Sequence, residues 1–172
     1  MNVREAHPAE HDEIRALLTT AYGQYAGEMP AALFEHYVHD LVDIDVSAGR
    51  ASTLVALADD RIVGTARYYP AGKVEEVPLP ENWAWVRGVA VHPPARRDGV
   101  ARALMAHCTR LASGAAAALS LHTFGFMPDA IRLYEHLGYQ RAPDWDISVS
   151  DHYAVGGDLV ALTYRLDLLS AS

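Results

Sequence analysis

The sequence predicts a single domain of the α/β (α+β) class that spans residues 1–172. Segments with strand character alternate with segments of helical period, in the order β-α-α-β-β-β-α-β-α-β-β. The 172 residues are enough to bury one core, and a content of 51% hydrophobic and 21% charged residues is ordinary for a globular protein. The sequence contains no internal repeat, low-complexity tract or interdomain linker that would divide it.

The N-terminal part of the chain is predicted to form a strand, two helices and a hairpin. Residues 1–6 have the pattern of a short strand. A helix follows over residues 8–22 with apolar side chains on one face, and Pro30 begins a second amphipathic helix. Residues 53–57 and 62–69 flank a short polar turn, which predicts a β-hairpin.

The C-terminal part is predicted to alternate between strands and helices. The elements are a strand at 83–91, a helix from Gly99, a strand at 115–122, a helix at 128–137, a strand beginning at 139, a loop or irregular strand at 142–157, and a terminal strand at 159–168.

The transition that follows the strand at 83–91 predicts a binding site. This strand is rich in β-branched and aromatic residues, and His92-Pro93-Pro94 ends it because proline cannot donate a hydrogen bond to a neighbouring strand. From Gly99 the apolar residues follow a helical period. A strand, a tight loop and a helix in this order direct free backbone N–H groups to a helix N-terminus, where an anion is favourable.

The loop itself has the pattern Arg-x-x-Gly-x-Ala, formed by Arg96, Gly99 and Ala101. Glycine can take a positive φ and lets the backbone approach a ligand without an intervening Cβ. The same residues are compatible with an ordinary strand-to-helix connection that carries surface arginines. The glycine-rich motifs of P-loop and dinucleotide-binding proteins are absent from the sequence.

A second motif follows at 126–139, where Pro128 begins a short amphipathic helix and Gly138 ends it. Together, Val-x-Val-His-Pro-x-x-Arg-x-x-Gly-x-Ala and the downstream Ala-Ile-x-Leu-Tyr-Glu-x-Leu-Gly-Tyr resemble the GCN5-related N-acetyltransferase (GNAT) family. The two motifs with their spacing are more specific than either alone. The resemblance is strong over residues 85–141 and looser elsewhere.

The resemblance implies a fold and a reaction. The fold is a mixed, mostly antiparallel sheet of six to seven strands, flanked by about four helices and with splayed central strands. The reaction is transfer of an acetyl group from acetyl-CoA to an amine, without a metal. The residues that the resemblance assigns to cofactor binding are Val89, Ala90, Val91, Arg96, Arg97, Asp98, Gly99, Val100, Ala101 and Arg102.

The resemblance also indicates catalytic residues. Tyr134 occupies the position of the family's tyrosine acid, which protonates the departing thiolate; the alternative is a core tyrosine on an amphipathic helix. Many relatives carry a glutamate base where this sequence has Trp85. We therefore expect His122 to replace it, since an imidazole titrates near neutral pH. The alternative is a histidine that is merely satisfied at a strand end.

The loop departs from the family pattern at several positions. Arg97 stands where relatives commonly have glycine, and Asp98 where they have a basic residue. Arg97 narrows the allowed backbone angles, and we expect Asp98 to turn outward or to cap the helix. Met127 replaces a common asparagine, so its side chain is not expected to contact the cofactor. A main-chain binding loop tolerates all three changes.

The acceptor site is predicted from charge and aromatic residues. In the family, the first two helices and their loop form one wall of this site, where Glu28, Glu35 or Asp40 could attract a cationic amine. A charged helix face is also ordinary solvated surface. Trp85, with Trp83 and Trp145, could line an apolar acceptor pocket, or these side chains could pack in the core.

Composition excludes several other classes of protein. The net charge of −8 argues against binding of nucleic acid, and no apolar run is long enough to cross a membrane. The single cysteine, Cys108, cannot form an internal disulfide and lies on an apolar helix stripe, which predicts a core thiol. With no signal peptide, a cytoplasmic location is expected. A homodimer is compatible with the family.

Two functions therefore remain open at this point. The first is an N-acetyltransferase for a small-molecule or peptidyl amine. The second is an acyl-CoA-binding module that senses the cofactor or serves a partner without catalysis. The acceptor and the range of acyl groups are not specified by the sequence, because one scaffold hosts many acceptors.

Overall fold

One mixed sheet organises residues 1–169, the part of the chain that the computed structural model describes. Its strands are β1 (Asn2–Glu5), β2 (Ser52–Ala58), β3 (Arg61–Tyr69), β4 (Trp83–Val91), β5 (Ala118–Thr123), β6 (Gln140–Arg141), β7 (Ile147–Ser148) and β8 (Val160–Asp167). The helices are α1 (His11–Gly23), α2 (Ala31–Val42), α3 (Val100–Ala112), α4 (Pro128–His136) and α5 (Val149–His152).

The strands are ordered β1-β2-β3-β4-β5-β8-β6, and β7 pairs with the first residues of β8. All pairs are antiparallel except β4 and β5 at the centre of the sheet. The mixed, mostly antiparallel sheet that the sequence implied is therefore confirmed.

The number of elements exceeds the expectation slightly. The described chain has eight strands rather than six to seven, and five helices rather than about four. The additional elements β7 and α5 lie at 147–152, inside a segment expected to be irregular. Two residues of strand and one turn of helix are too short to show a hydrophobic period.

Helices cover both faces of the sheet. On one face α3 contributes Leu104 and Met105 to the main core, which also includes Tyr134 of α4. On the other face Ile14 and Leu18 of α1 form a second core together with Leu41 of α2. Strands β2, β3 and β4 each contribute residues to both cores, whereas β5 contributes to the main core.

A bulge and a splay shape the centre of the sheet. The pairing of β3 with β4 shifts register between Thr65 and Arg67, opposite Gly88, whose φ is +66°. A Cβ on Gly88 would lie 3.3 Å from Leu41 Cδ1, so this position has little room for a side chain. The parallel pairing of β4 with β5 ends at Val86, and the rest of β4 pairs only with β3. The central strands are therefore splayed, as expected.

Candidate active site

Two cavities adjoin where β4 and β5 separate. The first, which we call the groove, has a volume of about 590 Å³ and follows β4 to the start of α3. The second, which we call the pocket, has a volume of about 460 Å³ and is bounded by α2 and the β3–β4 connection. Both cavities are lined by Tyr22, Tyr37, Val89, His122, Phe124 and Tyr134. Molecules bound in the two cavities would meet at these shared residues.

One end of the groove presents backbone N–H groups that lack an acceptor. The turn before α3 engages the N–H groups of Arg96 and Asp98, which donate to Pro93 and Ala95. Among residues 1–169, no protein acceptor is present for the N–H groups of Arg97, Gly99, Val100, Ala101 and Arg102. Several free donors at the positive end of a helix form a site for an anion such as a diphosphate.

The loop that aims these donors has left-handed backbone at two positions. Gly99 precedes α3 with a φ of 79°, as its glycine predicted. Arg97 has a φ of 71°, a conformation that costs about 1–2 kcal/mol for a residue with a Cβ. The position at which relatives carry glycine is therefore occupied here by a residue in a glycine conformation.

The structure brings together all but one of the residues predicted to bind the cofactor. Those that line the groove are Val89, Ala90, Val91, Arg96, Arg97, Gly99, Val100, Ala101 and Arg102. The exception, Asp98, is exposed and lines neither cavity. Its side chain does not cap α3, so of the two expectations for Asp98 only the outward orientation holds.

The β4 side of the groove is an unpaired strand edge. His92 donates its N–H to Val63 of β3, so by alternation Val91 and Val89 direct their backbone groups toward the side that β5 has left. The Tyr22 hydroxyl donates to the Val89 carbonyl over 3.2 Å. An extended chain in the groove could add sheet-like hydrogen bonds along this edge.

Tyr134 lies at the junction of the two cavities. The side chain is 6% exposed, and its hydroxyl has no hydrogen-bond partner among the described residues. Burial raises the pKa of Tyr134 well above its usual value, and nearby Tyr37 and Cys108 raise it further. The hydroxyl therefore stays protonated at neutral pH and can donate a proton into either cavity.

His122 also reaches the junction, but its ring nitrogens are poorly placed to accept a proton. Trp85 donates its indole Nε1–H to His122 Nδ1 over 3.0 Å, which uses the lone pair of that nitrogen and places the ring proton on Nε2. The Nε2 atom is enclosed and has no partner in the described chain. Burial lowers the pKa of His122 to about 4. This arrangement argues against the role of base that the sequence suggested for His122.

Charged side chains of both signs line the pocket. The acidic residues are Asp40, Asp43, Glu75 and Glu76, and the basic residues are Arg50 and Arg87. Arg50 Nη1 lies 2.8 Å from Glu76 Oε1, and Arg50 Nε lies 3.6 Å from Glu75 Oε2. The charge of Arg50 is thus paired with the carboxylates of Glu75 and Glu76.

The predicted acceptor residues are distributed unevenly. Asp40 and Trp85 line the pocket, whereas Glu28 and Glu35 are exposed and line neither cavity. Trp83 and Trp145 pack against each other outside both cavities, with ring centroids 6.0 Å apart. The apolar wall expected from three tryptophans is therefore formed by Trp85 alone among them.

An aromatic cluster that was not predicted from the sequence covers the splay. Its members, linked by ring contacts with centroids 5.0 to 6.2 Å apart, are Tyr22, Tyr25, Tyr37, Phe124 and Phe126. These residues come from α1, α2, their connection and the segment after β5. Only the pair Phe124 and Phe126, directly after a buried strand, offered a signal in the sequence.

Residues 1–169 contain neither a membrane-spanning helix nor a metal-binding cluster. No helix there is both long and apolar enough to cross a membrane. No group of three or more His, Cys, Asp or Glu side chains in that range is arranged to hold a metal ion.

Several solved structures share this fold at low sequence identity. A ribosomal-protein-alanine N-acetyltransferase from Brucella melitensis is 20% identical, with a TM-score of 0.66 over 98% of this chain and 100% of that chain. A candidate GNAT acetyltransferase from Desulfovibrio desulfuricans is 22% identical, with a TM-score of 0.68 over 98% and 99%. A candidate streptothricin acetyltransferase from Bacillus anthracis, in complex with acetyl coenzyme A, is 20% identical, with a TM-score of 0.57 over 70% and 64%.

Sequence comparison identifies the family. No curated protein sequence matches the chain significantly. The family model described as "Acetyltransferase (GNAT) family" matches residues 11–139, which include α1 to α4 and the whole of the loop before α3. The chain therefore belongs to the GNAT family of acetyltransferases.

Proposed function

We propose that this protein is an N-acetyltransferase that transfers the acetyl group of acetyl-CoA to a primary amine of a small molecule or peptide. The main support is the junction at Tyr134, where the groove with free N–H groups meets a pocket lined by polar side chains. The solved relative in complex with acetyl coenzyme A supports the choice of cosubstrate.

The groove fits the parts of acetyl-CoA in order. The free N–H groups at 97 and 99–102 would bind the diphosphate, and Arg96 and Arg102 add positive charge beside it. The unpaired edge of β4 at Val89 and Val91 suits the amide groups of the pantetheine arm. The acetyl group would then lie at the junction, beside Tyr134.

The reaction that we propose is direct attack of a neutral amine on the thioester. A bond forms between the amine nitrogen and the acetyl carbon, and the bond between carbon and sulfur breaks. The Tyr134 hydroxyl gives its proton to the departing thiolate and regains one from solvent. A free N–H of β4 near Val89 can stabilise the negative charge on the thioester oxygen.

The proton released by the amine needs a different acceptor from His122. Asp40 is half-buried in the pocket and can receive it through water. We assign His122 a positioning role, because the hydrogen bond from Trp85 joins β4 to β5 just where their pairing ends. This bond fixes the distance between β4 and β5 at the point where the two strands begin to separate.

Calorimetry and thiol release test the proposal. Acetyl-CoA should bind with measurable heat. It should also raise the melting temperature, because the loop that binds it exists only in the folded state. Addition of an acceptor amine should then release free coenzyme thiol above the rate of hydrolysis. The primary amines tested should include amino acids, polyamines, aminoglycosides and peptide N-termini.

Two results would contradict this function in different ways. Binding of acetyl-CoA without thiol release from any amine would favour a non-catalytic acyl-CoA sensor. The absence of heat and of thermal protection at saturating acetyl-CoA would exclude both functions.

A further inference from the structure

Arg87 presents a cation to the pocket that the protein leaves unpaired. It is half-buried on β4, and its guanidinium carbon lies 5.8 Å from the centre of the Trp85 ring. Its side chain makes no hydrogen bond and no ion pair with any other residue of the range 1–169. None of its nitrogens is among the fully enclosed polar atoms, so its donors open onto the pocket. A guanidinium has five N–H donors, and a partly buried one without an acceptor requires an explanation.

A second arginine lies directly beside it. Arg67 of β3 is the registered partner of Arg87 and is only 2% exposed. Its Nη2 donates to the Leu41 carbonyl, while Nε and Nη1 have no partner in the described structure. Like charges placed opposite each other on adjacent strands destabilise a sheet. An anion bound in the pocket would offset this repulsion.

The pocket's own carboxylates do not fill this role. Glu75 and Glu76 are engaged by Arg50, and Asp43 is exposed at the rim. Asp40 is the remaining carboxylate, and none of its oxygens lies within 4 Å of an Arg87 nitrogen. The anion that suits Arg87 must therefore come from a bound molecule.

The position of Arg87 relative to the junction limits the size of that molecule. Arg87 precedes Val89 by two residues, a separation of roughly 7 Å along a strand. Val89 and Tyr134 mark the place where the amine would attack. At this short distance, the anion and the attacking amine belong to the same small molecule or to the same end of one peptide acceptor.

We propose that the acceptor amine carries a carboxylate, as an amino acid does, and that Arg87 binds this carboxylate through two parallel N–H donors of its guanidinium. The proposal rests on the acetyltransferase function proposed above. A singly charged carboxylate matches one guanidinium. A phosphate is less suitable, because Asp40, Asp43 and Glu76 line the same pocket and would repel a dianion.

Matched acceptors test the proposal on the unaltered protein. The common amino acids are screened by thiol release, and the best substrate is compared with its amide and with its decarboxylated amine. We expect kcat/KM to be about 10- to 100-fold higher for the acid, the value of a hydrogen-bonded charged contact. The amine of the amide is less basic, so a larger fraction of it is neutral and reactive at neutral pH. Protonation therefore favours the amide, and a preference for the acid must come from binding.

Two variants assign this preference to Arg87. Arg87→Gln should lower kcat/KM for the acid by the same factor and leave that for the amide within about twofold. Arg87→Lys should restore part of the preference, since it keeps the charge without the planar fork. Arg61→Gln is the control, because it removes the same charge from an exposed position of β3 that lines neither cavity, and it should leave kcat/KM for the acid and for the amide unchanged.

The outcomes separate this proposal from the function on which it rests. Thiol release that is equally fast with the amide or the decarboxylated amine would overturn the carboxylate and leave the acetyltransferase intact. Faster release with phosphoethanolamine than with any amino acid would replace the carboxylate by a phosphate. Release from a polyamine, an aminoglycoside or a peptide N-terminus but from no amino acid would also overturn the carboxylate alone. Binding of acetyl-CoA without release from any amine of the whole panel would remove the proposed function, and this inference with it.

Discussion

The groove and the pocket are adjacent cavities built from different parts of the chain. The groove is formed by backbone: free N–H groups before α3 and the unpaired edge of β4. The pocket is formed by side chains from α2, the β3–β4 connection, β4 and α5. A backbone site depends on conformation rather than on side-chain identity, so it survives changes such as those at Arg97, Asp98 and Met127. A side-chain site changes its ligand with each substitution.

The largest effect that we expect comes from the junction of the two cavities. Tyr134→Phe should lower kcat by about 100- to 1000-fold, because it removes the proton donor for the thiolate. The dissociation constant of acetyl-CoA should hardly change. Steady-state rates and calorimetry measure the two quantities. Tyr139→Phe is the matched control, since Tyr139 is a buried neighbour of Tyr134 that lines neither cavity. Equal rates in wild type and Tyr134→Phe would remove this tyrosine from the mechanism.

A second effect concerns pH and His122. Its pKa is lowered to about 4 by burial, from an ordinary value near 6.5. The unfolded chain therefore binds the proton first, and this group makes the free energy of unfolding fall by about 3 kcal/mol as the pH drops from 7 to 4. His122→Gln should remove that part of the pH dependence, as measured by urea unfolding at several pH values.

Other groups act at lower pH. The Arg4 side chain lowers the pKa of Glu10 to about 2, so the stability from this pair is lost only below pH 4.5.

The kcat/KM of His122→Gln should keep the acidic limb of the wild-type profile. Loss of that limb would show that His122 is the base after all.

A third comparison tests the backbone site with two glycines. Gly99 and Gly114 have φ values of 79° and 78°, and an added Cβ would meet no atom within 4 Å at either position. Gly99→Ala and Gly114→Ala should therefore each lower the free energy of unfolding by about 1–2 kcal/mol. Only Gly99→Ala should weaken acetyl-CoA binding, by about tenfold, because it disturbs the loop that directs the free N–H groups. Equal affinities in the two variants would contradict the anion site.

The smallest effect is expected at Arg97. Arg97→Gly removes the penalty of a φ of 71° but gives the unfolded chain more freedom, so the free energy of unfolding should rise by less than about 1 kcal/mol. Arg97→Ala keeps the Cβ and should leave stability unchanged. Chemical denaturation distinguishes these variants, and a lower stability of Arg97→Gly than of Arg97→Ala would show that the loop is not strained.

The same contrast explains what the sequence could predict. Strand β4, helix α3 and the loop between them follow from local signals: a β-branched run, two prolines, one glycine and a helical period. The free N–H groups are a direct result of that local order, so nine of the ten residues assigned to cofactor binding line the groove. That they bind the cofactor stays a prediction. Asp98 is the exception: it was assigned to the cofactor-binding set, but it lines neither cavity.

The pocket could not be predicted in this way, because its residues meet only in three dimensions. Asp40 and Arg87 lie far apart in the sequence, and α5 is too short to have a period. His122 was predicted as the base because of its place at the end of a strand. The Trp85 indole, which lies on the neighbouring strand, uses the lone pair of His122 Nδ1, and this contact has no signal in the sequence. Glu28, in the loop before α2, and Glu35, on α2, carry the negative charge expected of the acceptor site. Both are exposed and do not line the pocket.

The burial of Cys108 has a practical consequence for these experiments. The side chain is 0% exposed beneath the sheet, and burial raises the pKa of its thiol to about 12. A disulfide reagent used to follow turnover will therefore react with liberated coenzyme and spare the folded enzyme. Slow reaction of one equivalent without any substrate would instead report that α3 has detached, which gives each variant an internal check of its integrity.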